Sequence, residues 1–318
     1  MLIVLTKKWL NTIPGKILEH VIVVSTKILV TGGMGFIGSY LVKRLLSMGY
    51  EITVLDNLYR GFKERLPEQR NLNVIIDDIT NEELLKKLIE ENDFVYHLAA
   101  ISQVMTSIKN PFVTLQYNVE GTEKVARWCS HYNKKVIFSS SREVYGSVCD
   151  LPVNEEHSFN PENPYAASKI SGEAILKAYS TTYGLQYLIF RLSNVYGGRD
   201  HGRVIPIFVE KAKNGEQLIL FGDDKVMDFI YIDDVVDILI RSLNYQSNGI
   251  FNVGSGTSTT LKELAEKIIS LLDSDSGYTI VQPRAGEVDR FTADISKIKR
   301  ELNWKPKYVL EQGLREML

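Results

Sequence analysis

The chain has 318 residues, 44% of them hydrophobic and 24% charged, and a formal net charge of −2. This is an ordinary globular composition, which excludes disordered, collagen-like and membrane classes, and the balanced charge leaves no electrostatic footprint for nucleic acid or an anionic membrane. Two cysteines, Cys129 and Cys149, form no disulfide framework in so long a chain and read as reduced thiols of a cytoplasmic protein.

Residues 1–26 carry Lys7, Lys8, Trp9 and Pro14, then an apolar patch near Val21. No long apolar core leads to a small-residue cleavage site, so the segment reads as an extension without chemistry, not a signal peptide. From Lys27 short β-branched runs alternate with amphipathic stretches. Lys27–Thr31, Glu51–Leu55, Asn71–Ile76, Phe94–His97, Lys135–Ser139 and Gln186–Phe190 read as strands buried on both faces. Ile37–Ser47, Glu82–Glu91, Val113–His131 and Tyr165–Thr182 carry apolar residues at helical spacing. Such alternation implies an α/β fold with a doubly wound parallel sheet. Residues 27–190 are expected to form this domain. Phe229–Tyr231 and Asp233–Ser242 read as a further strand and helix by which residues 229–253 rejoin it. A smaller C-terminal lobe is left to residues 191–228 and 254–318, including a helix over Leu261–Leu272.

Thr31-Gly32-Gly33-Met34-Gly35-Phe36-Ile37-Gly38 follows the first strand and opens the first helix. Glycines at 32, 35 and 38 allow a tight turn, close approach of a pyrophosphate and packing of helix on strand. The helix N-terminus offers unpaired N–H groups to phosphate. Asp56 ends the second strand, where a carboxylate accepts adenosine ribose hydroxyls and repels a 2′-phosphate. The cofactor is therefore expected to be NAD rather than NADP, with Arg60 nearby to soften the preference.

Tyr165 and Lys169 lie four apart in Asn163-Pro164-Tyr165-Ala166-Ala167-Ser168-Lys169. Pro164 suits a first helical turn, and the spacing puts both side chains on one face. An ammonium near a phenol is expected to lower a pKa of about 10, tuning Tyr165 to take a proton from a sugar hydroxyl. The run Ser139-Ser140-Ser141 follows a strand and so sits at the carboxyl edge of the sheet, where ligands bind in such folds.

The glycine turn, the serine run with Glu143-Val144-Tyr145-Gly146, and Tyr165-x-x-x-Lys169 resemble the extended short-chain dehydrogenases. Within them the likeness is to the NAD-dependent nucleotide-sugar epimerase/dehydratase group, typified by UDP-glucose 4-epimerase, and runs from about Lys27 to Pro306. The resemblance implies a Rossmann-type fold with a C-terminal substrate-binding lobe. It implies cofactor contacts from Gly32, Gly35, Phe36, Ile37, Gly38, Asp56, Asn57, Asp78, Ile79, Leu98, Ala99, Ala100, Asn118 and Ser139. Ser141, Tyr165 and Lys169 match the catalytic triad, Tyr165 and Lys169 also touching the cofactor. Asn194 matches the residue that meets the substrate diphosphate, Val204, Leu220 and Phe221 fall where the nucleotide is enclosed, and Arg284 and Glu287 lie in a phosphate- and ribose-binding motif. No metal is implied.

Two departures stand out. Met227 occupies the place of a phosphate-binding arginine before Asp228-Phe229, with Arg199 and Arg203 either replacing it or forming a solvated loop. Leu192-Ser193 stands where hexose epimerases often carry aromatics. The leading expectation is 4-epimerisation of a UDP-sugar, UDP-glucose to UDP-galactose, through a 4-keto intermediate, by a homodimer joined through the helices Val113–His131 and Tyr165–Thr182. The alternative is a lyase, either a 4,6-dehydratase or a sugar-acid decarboxylase. Against the dehydratase stands Arg142, where similar enzymes have Asp. A third reading, an idle NAD-sensing scaffold, would require a lost triad member, and all three are present.

Overall fold

The computed structural model describes residues 26–318, together with the backbone of two short parallel strands, Val4–Leu5 and Ile22–Val23. Apart from those strands and Thr26, the reading of residues 1–26 as an extension falls outside the described residues.

Seven parallel strands form one sheet, in the spatial order Gly249–Val253, Tyr187–Leu192, Lys135–Ser141, Phe94–His97, Lys27–Thr31, Glu51–Asp56, Leu72–Ile76. Ile28, Leu29 and Val30 are completely buried, because helices cover both faces, and this is what a continuous apolar run anticipates. Only the edge departs from that pattern: Val74 and Ile76 are exposed on the last strand. The chain runs outward in both directions from Lys27–Thr31, so the order reverses between that strand and Phe94–His97. Outside the carboxyl ends at such a reversal lies the crevice where doubly wound folds bind ligands.

Three local differences from the sequence reading affect the site. First, Phe229–Tyr231 does not enter the large sheet. It pairs with Asn194–Tyr196 in a two-stranded parallel ribbon, and Gly249–Val253 is the strand that joins the sheet beside Tyr187–Leu192. Helix Ile232–Arg241 nevertheless packs on helix Phe36–Ser47. Second, strand Lys135–Ser141 continues through all three serines, paired to Tyr187–Leu192 in the register Ser141↔Leu192. Third, the helix expected over Val113–His131 starts at Pro111 and contains a π-helical turn over Gln116–Glu120 before Gly121–His131. Such turns are rare and recur at functional sites; this one carries the buried Asn118.

Among the described residues no helix is long and apolar enough to cross a membrane. The rest of the chain supplies helices Val204–Lys213 and Leu261–Leu271, the parallel pair Leu218–Phe221 and Tyr278–Val281, and the antiparallel pair Val226–Met227 and Thr259–Thr260. Helix Leu261–Leu271 begins with a capping box in which Thr260 accepts from the Glu263 N–H while the Glu263 carboxylate accepts from the Thr260 N–H.

Candidate active site

A cavity of about 1090 Å³ opens at the carboxyl edge of the sheet, between the glycine turn and the segments 194–229 and 284–288. Pockets for one drug-sized ligand span roughly 300–1,000 Å³, so this one lies at the upper end of that range or just above it.

One wall is built mainly from backbone. Gly32 has φ +72°, and a Cβ there would lie 2.7 Å from the Ala99 nitrogen. Only glycine lets the turn after one central strand pass so near the chain leaving the other. A Cβ on Gly38 would collide with the Gly32 carbonyl oxygen, so helix Phe36–Ser47 can rest on the turn only because it lacks one. Gly35 precedes this helix in an extended conformation and no described side chain caps it. Its first N–H groups are thus directed at the cavity edge, the arrangement that receives phosphate. Asp56 is buried, its carboxylate oxygens accepting from the N–H groups of Met34 (2.9 Å) and Leu58 (2.9 Å). Two accepted N–H bonds leave its carboxylate oxygens with acceptor capacity to spare at the strand end. These features fit a dinucleotide whose pyrophosphate meets the glycine turn and whose ribose meets Asp56.

Phe36, Ile37, Asn57, Ile79, Leu98, Ala99, Ala100 and Ser139 also line the cavity; Asp78 and Asn118 do not. Asp78 instead accepts from the Thr80 N–H and hydroxyl and from the Asn57 amide, which orders the turn behind Asn57. Asn118 clasps Ile101 by both its N–H (2.8 Å) and its carbonyl (3.0 Å) and donates to the Ser168 hydroxyl. It fastens the cavity loop to helix Pro164–Tyr183 from behind. Arg60, whose possible role was to soften the cofactor preference, lines the cavity and donates to the His201 carbonyl at 2.9 Å.

Ser141, Tyr165 and Lys169 come together on the opposite side. Helix Pro164–Tyr183 starts with Asn163, whose side chain accepts from the Ala166 N–H, and with Pro164 at its first position. That fixes the first turn and presents Tyr165 and Lys169 one turn apart. Both are buried. The Lys169 ammonium donates to the Ser139 carbonyl at 2.7 Å and lies 5.8 Å from the Tyr165 ring centre. Burial pushes the Tyr165 phenol up to about 12, opposed by a hydrogen bond with Ser141 and by the charges of Arg203 and Arg142. Burial also pushes Lys169 down to about 7. The expected lowering of the phenol by Lys169 is not found: the groups that lower it are Ser141, Arg203 and Arg142, and burial, which penalises the charged form of both Tyr165 and Lys169, dominates. Of the three serines, Ser140 donates to Glu173 at 2.6 Å, and Glu173 is clamped by the fully buried Arg191 at 2.7 Å. Strand alternation aims Ser140 at that anchor and leaves Ser139 and Ser141 beside Lys169 and Tyr165.

The remaining wall is built from charged side chains. Arg142 and Glu143 form a buried pair at 2.9 Å. Glu143 also accepts from the Asn163 amide at 3.0 Å, and Arg142 reaches the Asn194 side-chain oxygen at 3.4 Å. Arg284 lies with its guanidinium 3.5 Å from the Phe221 ring centre and 3.5 Å from Glu287. Asn194, Val204, Phe221, Arg284 and Glu287 all line the cavity. Leu220 does not. The strand Leu218–Phe221 alternates, so Ile219 and Phe221 face the cavity while Leu220 is in the core. Arg203 lines the cavity with Asp200 3.8 Å away, whereas Arg199 reaches back to the Arg65 carbonyl at 3.4 Å. Of the two candidates to replace a cation at Met227, only Arg203 is placed in the cavity.

Lys225 was missed by the sequence reading. It lines the cavity, is 2% exposed, and its ammonium lies 2.6 Å from Glu287 and 3.3 Å from Asp289. A usable signal existed: Lys225 is two residues from Met227, and in extended chain that spacing puts both on one face. Attention to the missing arginine hid the lysine beside it.

The family model for GDP-mannose 4,6-dehydratase matches residues 29–317. The chain is 35% identical over 298 residues to UDP-glucose 4-epimerase of Mycolicibacterium smegmatis, covering 90% of this chain and 95% of that protein. It is 31% identical over 301 residues to UDP-glucuronic acid decarboxylase 1 of Arabidopsis thaliana, covering 92% of this chain and 69% of that protein. A crystal structure of UDP-glucose 4-epimerase from Thermotoga maritima with UDP-glucose superposes with a TM-score of 0.88 at 34% identity, over 92% of this chain and 97% of that one.

Proposed function

The chain belongs to the GDP-mannose 4,6-dehydratase family of the extended short-chain dehydrogenases, and we propose on that premise that it is an NAD-dependent 4-epimerase of a nucleotide-diphosphate hexose, interconverting UDP-glucose and UDP-galactose. The observation that carries this reading is the convergence of Ser141, Tyr165 and Lys169 on the cavity wall opposite the glycine turn. The glycine turn and Asp56 would hold NAD, which would supply the hydride acceptor and donor for C4 of the sugar. Tyr165, on the cavity wall with Ser141, takes the proton of the C4 hydroxyl and gives it back. Lys169, anchored on the Ser139 carbonyl, holds its ammonium beside the phenol and the nicotinamide ribose. Arg284 and Lys225 supply positive charge for the diphosphate, and Glu287 accepts from the nucleotide ribose. The size of the cavity lets the flat 4-keto sugar turn over and present its other face.

Dehydration would need a proton donor at the C6 hydroxyl. A guanidinium such as Arg142 is a poor proton donor, and Glu143 is engaged by Arg142 and Asn163. The lyase reading is therefore the weaker one. Incubation with UDP-glucose should yield an isomer of unchanged mass, identified by NMR, with no net NADH release; a product lighter by one water, or by carbon dioxide from a UDP-uronate, would establish the lyase instead. Preference for NAD over NADP rests on Asp56. Asp56→Ala should weaken NAD binding roughly tenfold and leave NADP binding nearly unchanged in a titration, on the scale of one charge-assisted hydrogen-bonded pair. We also propose that the protein is cytoplasmic and a homodimer joined through the helical segments Val113–His131 and Tyr165–Thr182, beside which Phe112 and Tyr183 are exposed aromatics.

A further inference from the structure

The side-chain amide of Asn163 is shared among three elements. Its oxygen accepts from the Ala166 N–H at 2.8 Å and so caps helix Pro164–Tyr183. Its nitrogen donates to the Glu143 carboxylate at 3.0 Å and to the Gly286 backbone carbonyl at 2.9 Å. Asn163 is only 6% exposed, and both of its N–H donors are engaged. Capping the helix needs no more than the oxygen, which serine or aspartate supplies as well. The two donors are what asparagine adds, and neither of them bonds within the helix.

Each donor leads to a different part of the cavity wall. Glu143 lies two residues beyond Ser141 and holds Arg142 at 2.9 Å, whose guanidinium reaches Asn194 at 3.4 Å. Gly286 has φ +78° and sits between Arg284 and Glu287, the cavity residues proposed to meet the nucleotide diphosphate and ribose. That loop is fixed again three residues on, where the Asp289 N–H donates to the Ser147 hydroxyl at 2.9 Å. Between Asn163 and Tyr165 stands only Pro164, which locks its own φ and holds Asn163 extended at φ −151°, ψ 162°. The path from the Gly286 carbonyl to the Tyr165 backbone is therefore short and has little freedom. A sugar nucleotide held at its diphosphate and reacting at C4 depends on the separation of those two ends, and a misplacement of about 1 Å can cost roughly 10²-fold in rate.

Resting on the epimerase reading, we propose that Asn163 is a positioning residue that fixes the distance between the nucleotide loop at Gly286 and the proton-transferring Tyr165. Through its oxygen it sets the first turn of the helix that bears the phenol. Through its nitrogen it ties that turn to the loop and to the strand end after Ser141. Each half of the site can fill without it. Asn163 adds the delivery of C4 to the phenol, so its loss is read in kcat and not in binding.

The test measures UDP-glucose turnover, UDP binding by titration and the urea unfolding midpoint on variants of the NAD-loaded full chain. Asn163→Ser keeps an oxygen for the cap and loses both donors, whereas Asn163→Ala loses the cap as well. Asn163→Ser should therefore unfold at higher urea than Asn163→Ala, yet both should lose at least about tenfold in kcat. Their affinity for UDP should stay within about threefold of wild type. Asn163→Gln retains the donors, is not among the preferred caps, and should recover part of the kcat that Asn163→Ser loses. Wild-type kcat in Asn163→Ser would overturn the positioning role. So would a loss of UDP affinity as large as the loss of kcat, which would make Asn163 a prop of the nucleotide loop alone. Should Asn163→Ser not fold, Asn163→Asp gives the same reading, since it too keeps the cap and lacks the donors. A wild-type protein that turns UDP-glucose into a lighter product would overturn the epimerase reading and leave the kcat comparison intact, because dehydration also passes through a 4-keto sugar. A wild-type protein inert toward UDP-glucose would overturn both.

Discussion

The two walls of the cavity are made from different materials. On the cofactor side, recognition comes from backbone: a glycine turn, the bare N-terminus of helix Phe36–Ser47, and one carboxylate, Asp56, fixed by two N–H groups. On the substrate side it comes from side chains in ionic contact: Lys225 with Glu287 and Asp289, Arg284 on Phe221, Arg142 with Glu143. A backbone wall is tolerant of sequence except where a Cβ cannot fit. A side-chain wall can be re-specified one residue at a time, and here both departures from the family pattern, Met227 and Leu192-Ser193, fall on that side. Between the two walls stand Tyr165 and Lys169, whose burial is a property of neither wall alone.

The comparison can be broken or sharpened by substitution, beginning with the residue between the walls. Tyr165→Phe should lower kcat by about 10²–10⁴-fold, the usual contribution of a general acid–base group, while bound NAD is retained. A variant that keeps a tenth of wild-type kcat would remove Tyr165 from the proton-transfer role.

On the backbone wall, Gly38→Ala drives a methyl group into the Gly32 carbonyl oxygen. Overpacking of this kind costs about 1–3 kcal/mol, read as a lower midpoint in urea unfolding, and it should also strip NAD from the purified protein. Normal NAD content in this variant would mean that the turn relaxes and the wall is less rigid than its contacts imply.

On the side-chain wall, Lys225→Met and Arg284→Ala should raise the substrate KM more than they lower kcat. Removing a buried charged hydrogen-bonding partner costs about 1.5–3 kcal/mol, roughly a 10- to 100-fold change in KM, and Lys225 is almost fully buried. The Arg284 side chain is 43% exposed, so solvent screening makes its effect the smaller of the two. The reverse order would restore Arg284 as the principal cation, as the sequence pattern suggests.

The smallest expected effect is on stability against pH. Burial lowers Lys169 from 10.5 to about 7. Between those values the unfolded chain binds a proton that the folded chain does not, so folding stability rises with pH across that window. Lys135, lowered to about 8, acts with the same sign. Lys169→Met should therefore flatten part of the rise in denaturation midpoint between pH 7 and 10. An unchanged slope would mean that Lys169 keeps its charge in the fold.

Much of the site was legible because its signals are local. The glycine turn, the strand-end Asp56 and the Tyr165/Lys169 spacing each need only a few consecutive residues and one known periodicity. The strands of the parallel sheet were legible for the same reason, being short apolar runs bounded by turns. What was misread depended on partners distant in sequence. Phe229–Tyr231 has the composition of a strand, but nothing within it says that it pairs with Asn194–Tyr196 and leaves the sheet edge to Gly249–Val253. Leu220 and Phe221 are alike in character, and the pleat alone sends one to the core and the other to the cavity. Asn118 was placed among the cofactor contacts, whereas the π-helical turn aims it at Ile101 and Ser168.

By itself the sequence determined the fold class, the position of the glycine turn and the identity of the three side chains proposed to react, because strand and helix periodicity and glycine stereochemistry act within a few residues. Tertiary structure alone decided the electrostatics. Tyr165 is raised and Lys169 lowered because both are desolvated by elements far away in the chain. Lys225 becomes part of the substrate wall because Glu287, 62 residues on, comes to meet it. Burial and charge pairing are sums over everything nearby in space, and no stretch of sequence contains that sum.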